Sequence, residues 1–442
     1  MPTHQLHLHP TDVLFFKDGR PMDGASSGHG AAWPLPHILD AALHAALHRS
    51  GETSHQHVPA RSSQERDYSD ENRNQHGRNF GSLQTAGPFP VDKSGHWLFP
   101  RPADAQKPGS AETTLRPLKE LPAGATSSLP NSLHPVINTL PPSKDNPEPW
   151  LSTAAWQHYL DPSNQLTPSD QSSHFLHDDA IFAAEHTIGI GIDPITDTQD
   201  GEHFYSASYL RLQPGWSLGL LAACNDKDSG DLIEKIFPNS GAETHIIAGG
   251  QQRTATVLRA TPQTLPLPVA PAIQGNLVRW TLLTPAIFPR LEGKHTHPGG
   301  WLPTWIDPET KKVQLLDGPG KNAARRRKVP EGKTIPATLI AARVSSPIPV
   351  TGWSLGHAAD RDFGAKATHL AVPAGSVYYF ACTDEKAAQA LSAALNWHGT
   401  EISNPKSQIV NRRSTLLGEK GYGLGLCSPF QFTSLDQIKK SS

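Results

Sequence analysis

A strand, a charged turn, a glycine-rich loop and a helix follow one another within residues 11–51, and few folds accommodate that succession. Val13, Leu14, Phe15 and Phe16 are β-branched, aliphatic and aromatic residues that run into Lys17-Asp18-Gly19-Arg20-Pro21, a dense turn signal. The strand therefore stops beside two cations, Lys17 and Arg20. Gly24, Gly28 and Gly30 then free the backbone, with His29 between the last two. Pro34 or Pro36 suits a first helical turn, where a missing N–H is harmless. Leu35, Ile38, Leu39, Ala42, Leu43, Ala46 and Leu47 recur at helical spacing, and Gly51 is placed to end the helix. One apolar face is left over for a sheet.

A glycine loop between a strand and a helix can aim backbone N–H groups at an anion. The nucleotide versions of that device are incomplete here. Gly28-His29-Gly30-Ala31-Ala32-Trp33 puts a bulky Trp where a dinucleotide loop needs its third glycine, and the Gly-Lys-Ser/Thr of a Walker loop is absent. A phosphate-binding loop of another kind and an ordinary solvated loop both stay open at this point.

The chain has 442 residues, enough for two or three domains that each bury a core. Its 41 prolines and 36 glycines predict compact elements separated by long irregular connections. A formal charge of -2 gives no global attraction to nucleic acid or membrane, so any such surface is local. Cys224, Cys382 and Cys427 are far apart and odd in number, which argues against a disulfide framework or a CxxC metal site. The first residues, MPTHQLHLHP, lack the basic and apolar regions of a signal peptide, and no apolar run approaches the roughly twenty residues of a membrane span. A cytoplasmic protein with no membrane partner is expected. No HExxH or His-Cys finger spacing accompanies the 23 histidines. His7 and His9 share one face of the first strand, as weak metal candidates or as polar surface; no metal and no cofactor is expected.

Residues 5–9 alternate as a first strand ahead of the loop and helix. Residues 52–79 are nearly devoid of aliphatics and cannot bury enough apolar area to offset their ordering, so a mobile insertion is expected. Apolar character returns at 80–90 and 95–104, lapses over 105–149, and resumes with a short helix at 150–160. The runs 186–193 and 203–212 read as a hairpin with a long tip. A strand at 216–223, a short helix at 231–237 and a strand pair around Gly249-Gly250 complete a βαββαβ order, the ferredoxin-like split-βαβ pattern. The second half repeats the attempt: strands at 277–288, 336–344 and 368–381, the last with Gly375 at a turn, a helix at 384–397 with Ala387, Ala390, Leu391, Ala394 and Leu395 as its stripe, and a last strand at 424–432. The predicted class is α+β: two ferredoxin-like, RRM-like modules with long loop insertions and a β-hairpin thumb. Their bounds are 1–262, with insertions over 51–180 and the thumb at 186–212, and 263–442, with a glycine-rich loop at 418–425.

Gly421-Tyr422-Gly423-Leu424-Gly425, preceded by Arg412, Arg413 and Lys420, is a loop whose backbone can lie against a sugar-phosphate chain while the aromatic stacks on a base. The same residues also fit a bulge entering the last strand. Gly249-Gly250-Gln251-Gln252-Arg253 places an arginine just beyond a glycine turn, a second candidate contact or a plain solvated hairpin, and Arg325-Arg326-Arg327-Lys328 fits a solvated loop face better than a specific contact. A metal-free ribonuclease would need a histidine base near a cation. His29 near Lys17 and Arg20, or His186 at the hairpin, fits that need no better than chance, and neither paired carboxylates nor GxSxG is present.

Taken in order, FFKDGRPMDG, WPLP, FGSLQTAGPFP, WLFPRPAD, HTIGIGIDPITDTQDGEHFYSASYLRL, AGGQQR, LLTPAIFP, VPAGSVYYF and GYGLGL resemble the family of third subunits of Cmr effector complexes, RAMP-superfamily proteins of type III-B CRISPR systems. The resemblance spans most of the chain and leaves out 51–78 and about 105–145. It implies a non-catalytic subunit that caps the five-prime, repeat-derived tag of the CRISPR RNA (crRNA). Its protein partners would be the large polymerase-like subunit and the backbone RAMP subunits, in antiviral defence. The RNA contacts it implies are Lys17, Arg20, Gly24, Gly28, His29, Gly30, Arg253, Lys420, Gly421, Tyr422, Gly423 and Gly425, with the hairpin 186–212 as a thumb across the guide. His186 stands where the family often carries arginine, and a neutral imidazole holds a phosphate less firmly. The alternative function is a metal-independent endoribonuclease that processes precursor crRNA.

Overall fold

The computed structural model describes residues 2–16, 33–51, 57–59, 78–80, 82–122, 124–130, 132–141, 144–166, 171–193, 195–226, 229–238, 243–260, 264–293, 296–354, 364–400 and 408–435. It is a mixed fold of antiparallel sheets, most of them small, with few helices. The expected mobile insertion lies outside the described residues, except that the backbone of His57–Pro59 pairs with that of Arg78–Phe80.

The first half builds one large sheet. Strand β1 (His4–Pro10) alternates buried leucines, Leu6 and Leu8, with half-buried His7 and His9, as an amphipathic strand should. Helix α1 (Pro36–Arg49) starts on a proline at its first position, buries Leu39, Leu43 and Leu47, and is followed by Gly51 at φ +86°. Strand β2 (Gln84–Val91) is buried almost throughout, and helix α2 (Thr153–Leu160) is capped by Ser152, whose side chain accepts the Ala155 N–H. Strands β3 (Phe182–Ile192) and β4 (Gln199–Leu212) form the hairpin, which begins four residues earlier than the sequence indicated. Then come β5 (Ser217–Ala223), a short helix α3 (Leu232–Ile236) capped by Asp231, β6 (Thr244–Ile247) and β7 (Thr254–Ala260). The sheet order is β6-β7-β1-β5-β2, every neighbouring pair antiparallel. Residues of α1 and α3 join Leu6, Leu8, Leu218 and Leu220 in one core on a single face of this sheet.

The second half contributes β8 (Leu277–Leu282), a short helix α4 (Lys321–Arg327), β9 (Ala337–Arg343), β10 (Val377–Cys382), α5 (Glu385–Leu395) and β11 (Gly425–Pro429). Its sheet order is β9-β10-β8-β11, again antiparallel throughout. Asp384 caps α5 by accepting the Ala387 N–H, and Ala387, Ala388, Leu391 and Leu395 bury its apolar stripe. The turn expected at Gly375 within 368–381 is there, at φ +81°, and the two sides of it go to different sheets: His369–Val372 joins a three-stranded sheet with Ala286–Ile287 and Ile348–Val350. A side chain at Gly375 would meet the Arg101 carbonyl at 2.2 Å, so the glycine lets the insertion lie against this turn.

A third core joins the halves. Ala86, Phe89 and Leu221 from the first sheet, Trp156 and Tyr159 from α2, and Trp397, Leu424 and Leu426 from the second half pack together over the connecting residues Leu265, Leu267 and Ala270. Beside it lies a polar cluster that sequence reasoning did not find. Arg279, in the middle of β8, meets Asp104 Oδ2 at 3.2 Å, donates to Ser428 and Thr113, and lies 4.0 Å from the Tyr159 ring. Tyr159 and Tyr379 both donate to the same Asp104 carboxylate. Burial and the adjoining carboxylate hold both phenols well above the usual tyrosine range.

Candidate functional site

The residues singled out above fall into two groups, at the two ends of the stretch 17–32. Lys17, Arg20, Gly24, Gly28, His29 and Gly30 themselves lie outside the described residues.

At the leading end, Val13 to Phe16 forms no strand ladder. A single bridge ties Leu14 to Leu210 of β4, each residue donating its N–H to the other's carbonyl at 2.9 and 2.8 Å. The Gly250 N–H donates to Phe15 O at 2.8 Å, and a side chain at Gly249, φ +85°, would lie 2.5 Å from that oxygen. The segment leading to Lys17 is therefore clamped between the hairpin stem and the turn 249–253. Arg253 leaves this turn with its guanidinium 5.0 Å over the Tyr209 ring and 4.0 Å from Asp12, its side chain one-third exposed. Tyr209 donates to Gln251 Oε1, and Arg211 bridges Asp12 and Glu185. His186 lies one residue further along the stem, exposed, its Nδ1 2.8 Å from the Ser208 hydroxyl. Beyond it Ile188, Ile190 and Ile192 share one face of the ribbon, all half exposed or more. The hairpin root is fixed by Phe182 and Leu210, which pack with Trp150 and Trp33.

At the trailing end, Trp33 donates to Pro88 O at 3.0 Å and packs edge-on against Trp150, which anchors the start of the α1 segment beside β2. Four residues on, α1 meets the glycine-rich loop. Here the structure corrects the expectation of a flat platform. Gly421 through Ser428 are buried, and the Tyr422 ring is 0% exposed, so it offers no face to a base. The glycines answer protein neighbours. A side chain would lie 3.2 Å from Ala86 Cα at Gly421, 2.0 Å from Ser414 N at Gly423 and 2.3 Å from Trp280 Nε1 at Gly425. Gly421 and Gly423 also hold φ of +99° and +79°, a region closed to most other residues. The loop is a joint where both halves meet; its start, the short 3₁₀ turn Gly418–Lys420, is the part that is less than fully buried.

Around this joint the side chains are polar and poorly hydrated. His37 Nε2 lies 3.1 Å from Thr351 O, and a carbonyl can only accept, so Nε2 carries the proton and Nδ1 accepts the Tyr422 hydroxyl at 2.8 Å. Burial, then the nearby Lys420 charge, lowers the His37 pKa to about 4, consistent with that neutral ring. Asp40 interrupts the apolar stripe of α1, accepts from Thr85 and lies 3.3 Å from Lys420 Nζ. Burial raises its carboxyl above the usual range despite that cation, and raises Glu419 likewise. Arg412 donates to the carbonyls of Thr85 and Gly418 at 2.6 and 2.9 Å, while Arg413 donates to Ala394 O. Burial brings both guanidinium groups down to about 10. Lys420 is thus engaged with Asp40, its side chain 13% exposed.

Two signals in the sequence could have located the buried polar groups at the joint and beside the third core. A carboxylate at position 40 falls within an otherwise apolar helical stripe, and Arg279 falls within an otherwise apolar strand; a charge so placed needs a buried partner. Elsewhere, His7 lies edge-on to Trp97 at 5.9 Å, and the three cysteines are free and buried. Among the described residues no group of three His, Cys, Asp or Glu side chains is disposed to hold a metal ion, and no helix is long and apolar enough to cross a membrane.

A model of the CRISPR-associated protein family Cas_Cmr3 matches residues 6–427. The chain belongs to that family. Both ends of the stretch 17–32, the hairpin, the joint and all of the second sheet but the last two residues of β11 fall inside the matched span, in agreement with the motif order that pointed to type III-B CRISPR systems. No curated protein sequence matches the chain. Among solved structures, a chain from a type III-B Cmr-beta complex bound to cognate target RNA and AMPPnP is 14% identical, with a TM-score of 0.38, covering 85% of this chain and 86% of its own. A chain of a Csm3-Csm4 subcomplex from a type III-A interference complex is 10% identical, with a TM-score of 0.34, covering 85% and 92%.

Proposed function

We propose that this member of the Cas_Cmr3 family is a non-catalytic crRNA-binding subunit of a type III-B effector complex. It caps the five-prime, repeat-derived tag of the guide and bridges the large polymerase-like subunit to the backbone RAMP subunits. The observation that carries this reading is the clamp at residues 13–16. The hairpin stem and the turn bearing Arg253 both hold the backbone of residues 14 and 15, which lead directly to Lys17 in the sequence, so Arg253 and the thumb stem stand at the start of the segment that carries the cations. Phosphate contacts of this kind hold an RNA in position, and the exposed isoleucine face of the hairpin suits the unstacked bases of a guide strand. In this reading Lys17, Arg20, Gly24, Gly28, His29 and Gly30 supply the tag contacts, together with Arg253 and His186.

The proposal includes two ferredoxin-like modules, and the strand orders support it. Leaving out the edge strand β6, the first sheet runs fourth-first-third-second in chain order, and the second sheet does the same. Helices follow the first and third strands in the first half; in the second only α5, after the third, has its full counterpart. The subunit acts in the cytoplasm and uses no cofactor.

Incubating the purified chain with repeat RNA in EDTA separates this reading from a precursor-processing endoribonuclease. Intact RNA is expected. Reproducible cleavage that a single substitution, such as His186→Ala, abolishes would replace the non-catalytic reading by the nuclease one.

A further inference from the structure

The segment between β8 and β9 carries a surface that the tag-binding reading does not use. Residues 321–333, KNAARRRKVPEGK, hold six cations and one carboxylate in a chain whose formal charge is -2. The two-residue hairpin of Leu316–Asp317 with Lys333–Thr334 closes this segment, and a side chain at Gly332 would meet Asp317 O at 2.7 Å, so the closure is tight. Helix α4 is anchored through Ala324, which is buried, while Lys321, Arg325, Arg326, Arg327, Lys328 and Lys333 are all exposed. Among the described residues no ion pair joins any of these six to a carboxylate.

The ordinary explanation is that cations at a helix C-terminus complement its dipole, and it accounts for Arg325, Arg326 and Arg327. It does not account for the rest. Lys321 occupies the first turn, which contains no acidic residue, and lies four residues from Arg325, a like-charged spacing that weakens a helix. Lys328, the C-cap, holds a left-handed φ of 54° where glycine would be unstrained. The free protein retains a charge pattern unfavourable to its own helix, on a braced element; Glu331 and Asp317 are its acidic neighbours, and among the described residues neither forms an ion pair with the six cations. An external polyanion removes that cost. Arginine forks match phosphate oxygens, and their fan around α4 favours an extended phosphodiester chain over a single anion.

We propose that α4 and its flanks, Lys321 to Lys333, form a second RNA contact that grips the sugar-phosphate backbone without reading sequence. It rests on the tag-binding reading only for the identity of the polyanion.

The test uses the full chain and two fluorescent RNAs: one of tag length, and one longer uniform single strand without the tag. Each is titrated at several salt concentrations against the parent, Arg325→Gln/Arg326→Gln/Arg327→Gln, and the matching triple Lys variant. For the longer RNA the Gln variant should flatten the dependence of log affinity on log salt by about 2, three phosphate contacts at roughly 0.7 each, while the Lys variant keeps the parental slope. Tag-length RNA should bind all three proteins equally. Because the substituted side chains are exposed, melting temperatures should coincide, and the Lys variant separates lost charge from lost structure. A Gln variant with the parental slope and affinity on the longer RNA would overturn the proposal, whether or not that surface binds polyglutamate instead. A parent that binds both RNAs without preferring the tag would count against tag capping and leave this slope difference intact.

Discussion

Replacing Gly423 with alanine tests whether the glycine-rich loop is a joint or a platform. Gly423 holds φ +79°, and the added methyl group would lie 2.0 Å from the backbone nitrogen of Ser414, which cannot swing aside as a side-chain tip can. The left-handed conformation costs an alanine about 1–2 kcal/mol. Relieving the clash stretches two hydrogen bonds of 2.8 Å, Gly423 N–H to Pro285 O and Arg413 N–H to Gly423 O, each worth about 1 kcal/mol net. The total is about 3–4 kcal/mol, a fall in melting temperature of roughly 6–16 °C for a unit the size of the second half. Gly421→Ala faces contacts of 3.2 Å instead and a similar φ, so roughly 2–8 °C is expected. Differential scanning fluorimetry of the two variants, with RNA binding measured well below their transitions, provides the assay. A Gly423→Ala protein that melts within 2 °C of the parent but loses RNA affinity would refute the reasoning, because that is how a platform would respond.

Other consequences follow from the same geometry. The folded pKa of His37, about 4, lies below its unfolded value of about 6.5, so its contribution is fully present above pH 6.5 and is lost as pH falls towards 4. The raised carboxyls of Asp40 and Glu419 act in the opposite sense over the acid side of that window. A His37→Gln variant compared with the parent in urea at pH 7 and pH 5 should therefore show a gap smaller at pH 5 by roughly 1–2 kcal/mol; a gap independent of pH would contradict the buried neutral ring. Asp104→Asn leaves the buried Arg279 without its counter-charge and should cost about 3–5 kcal/mol in the same assay, whereas a cost under 1 kcal/mol would mean the cluster is hydrated. Arg253→Ala should weaken guide RNA several-fold and flatten its salt dependence by about 0.7, with a small fall in melting temperature from the lost stacking on Tyr209; unchanged binding would remove Arg253 from the RNA surface.

Much of the architecture was legible because it rests on local signals. Alternating apolar residues gave β1, the stripe of α1 gave its buried face, and Gly51 and Asp384 marked helix ends where the structure has them. What failed depended on long-range contact. Val13 to Phe16 has the composition of a strand, yet its backbone partners are a hairpin stem and a turn some two hundred residues away, so it makes a bridge and no ladder. GYGLGL reads equally as a nucleic-acid platform or a packing joint. Only the positions of Ala86, Ser414 and Trp280, supplied by three distant segments, show that protein fills the space its glycines leave. Arg253 could be singled out because an arginine after a glycine turn is a local pattern; the ring of Tyr209 beneath it could not, because that pairing is made by the fold.

The central claim is tag recognition, and one competition measurement bears on it most directly. Tagged and untagged guide RNA are titrated against the parent and a Lys17→Ala/Arg20→Ala variant. The account predicts that the parent prefers the tagged RNA and that the double substitution weakens the tagged complex more than the untagged one. Equal loss on both RNAs would show that these residues are general phosphate contacts and would contradict the claim.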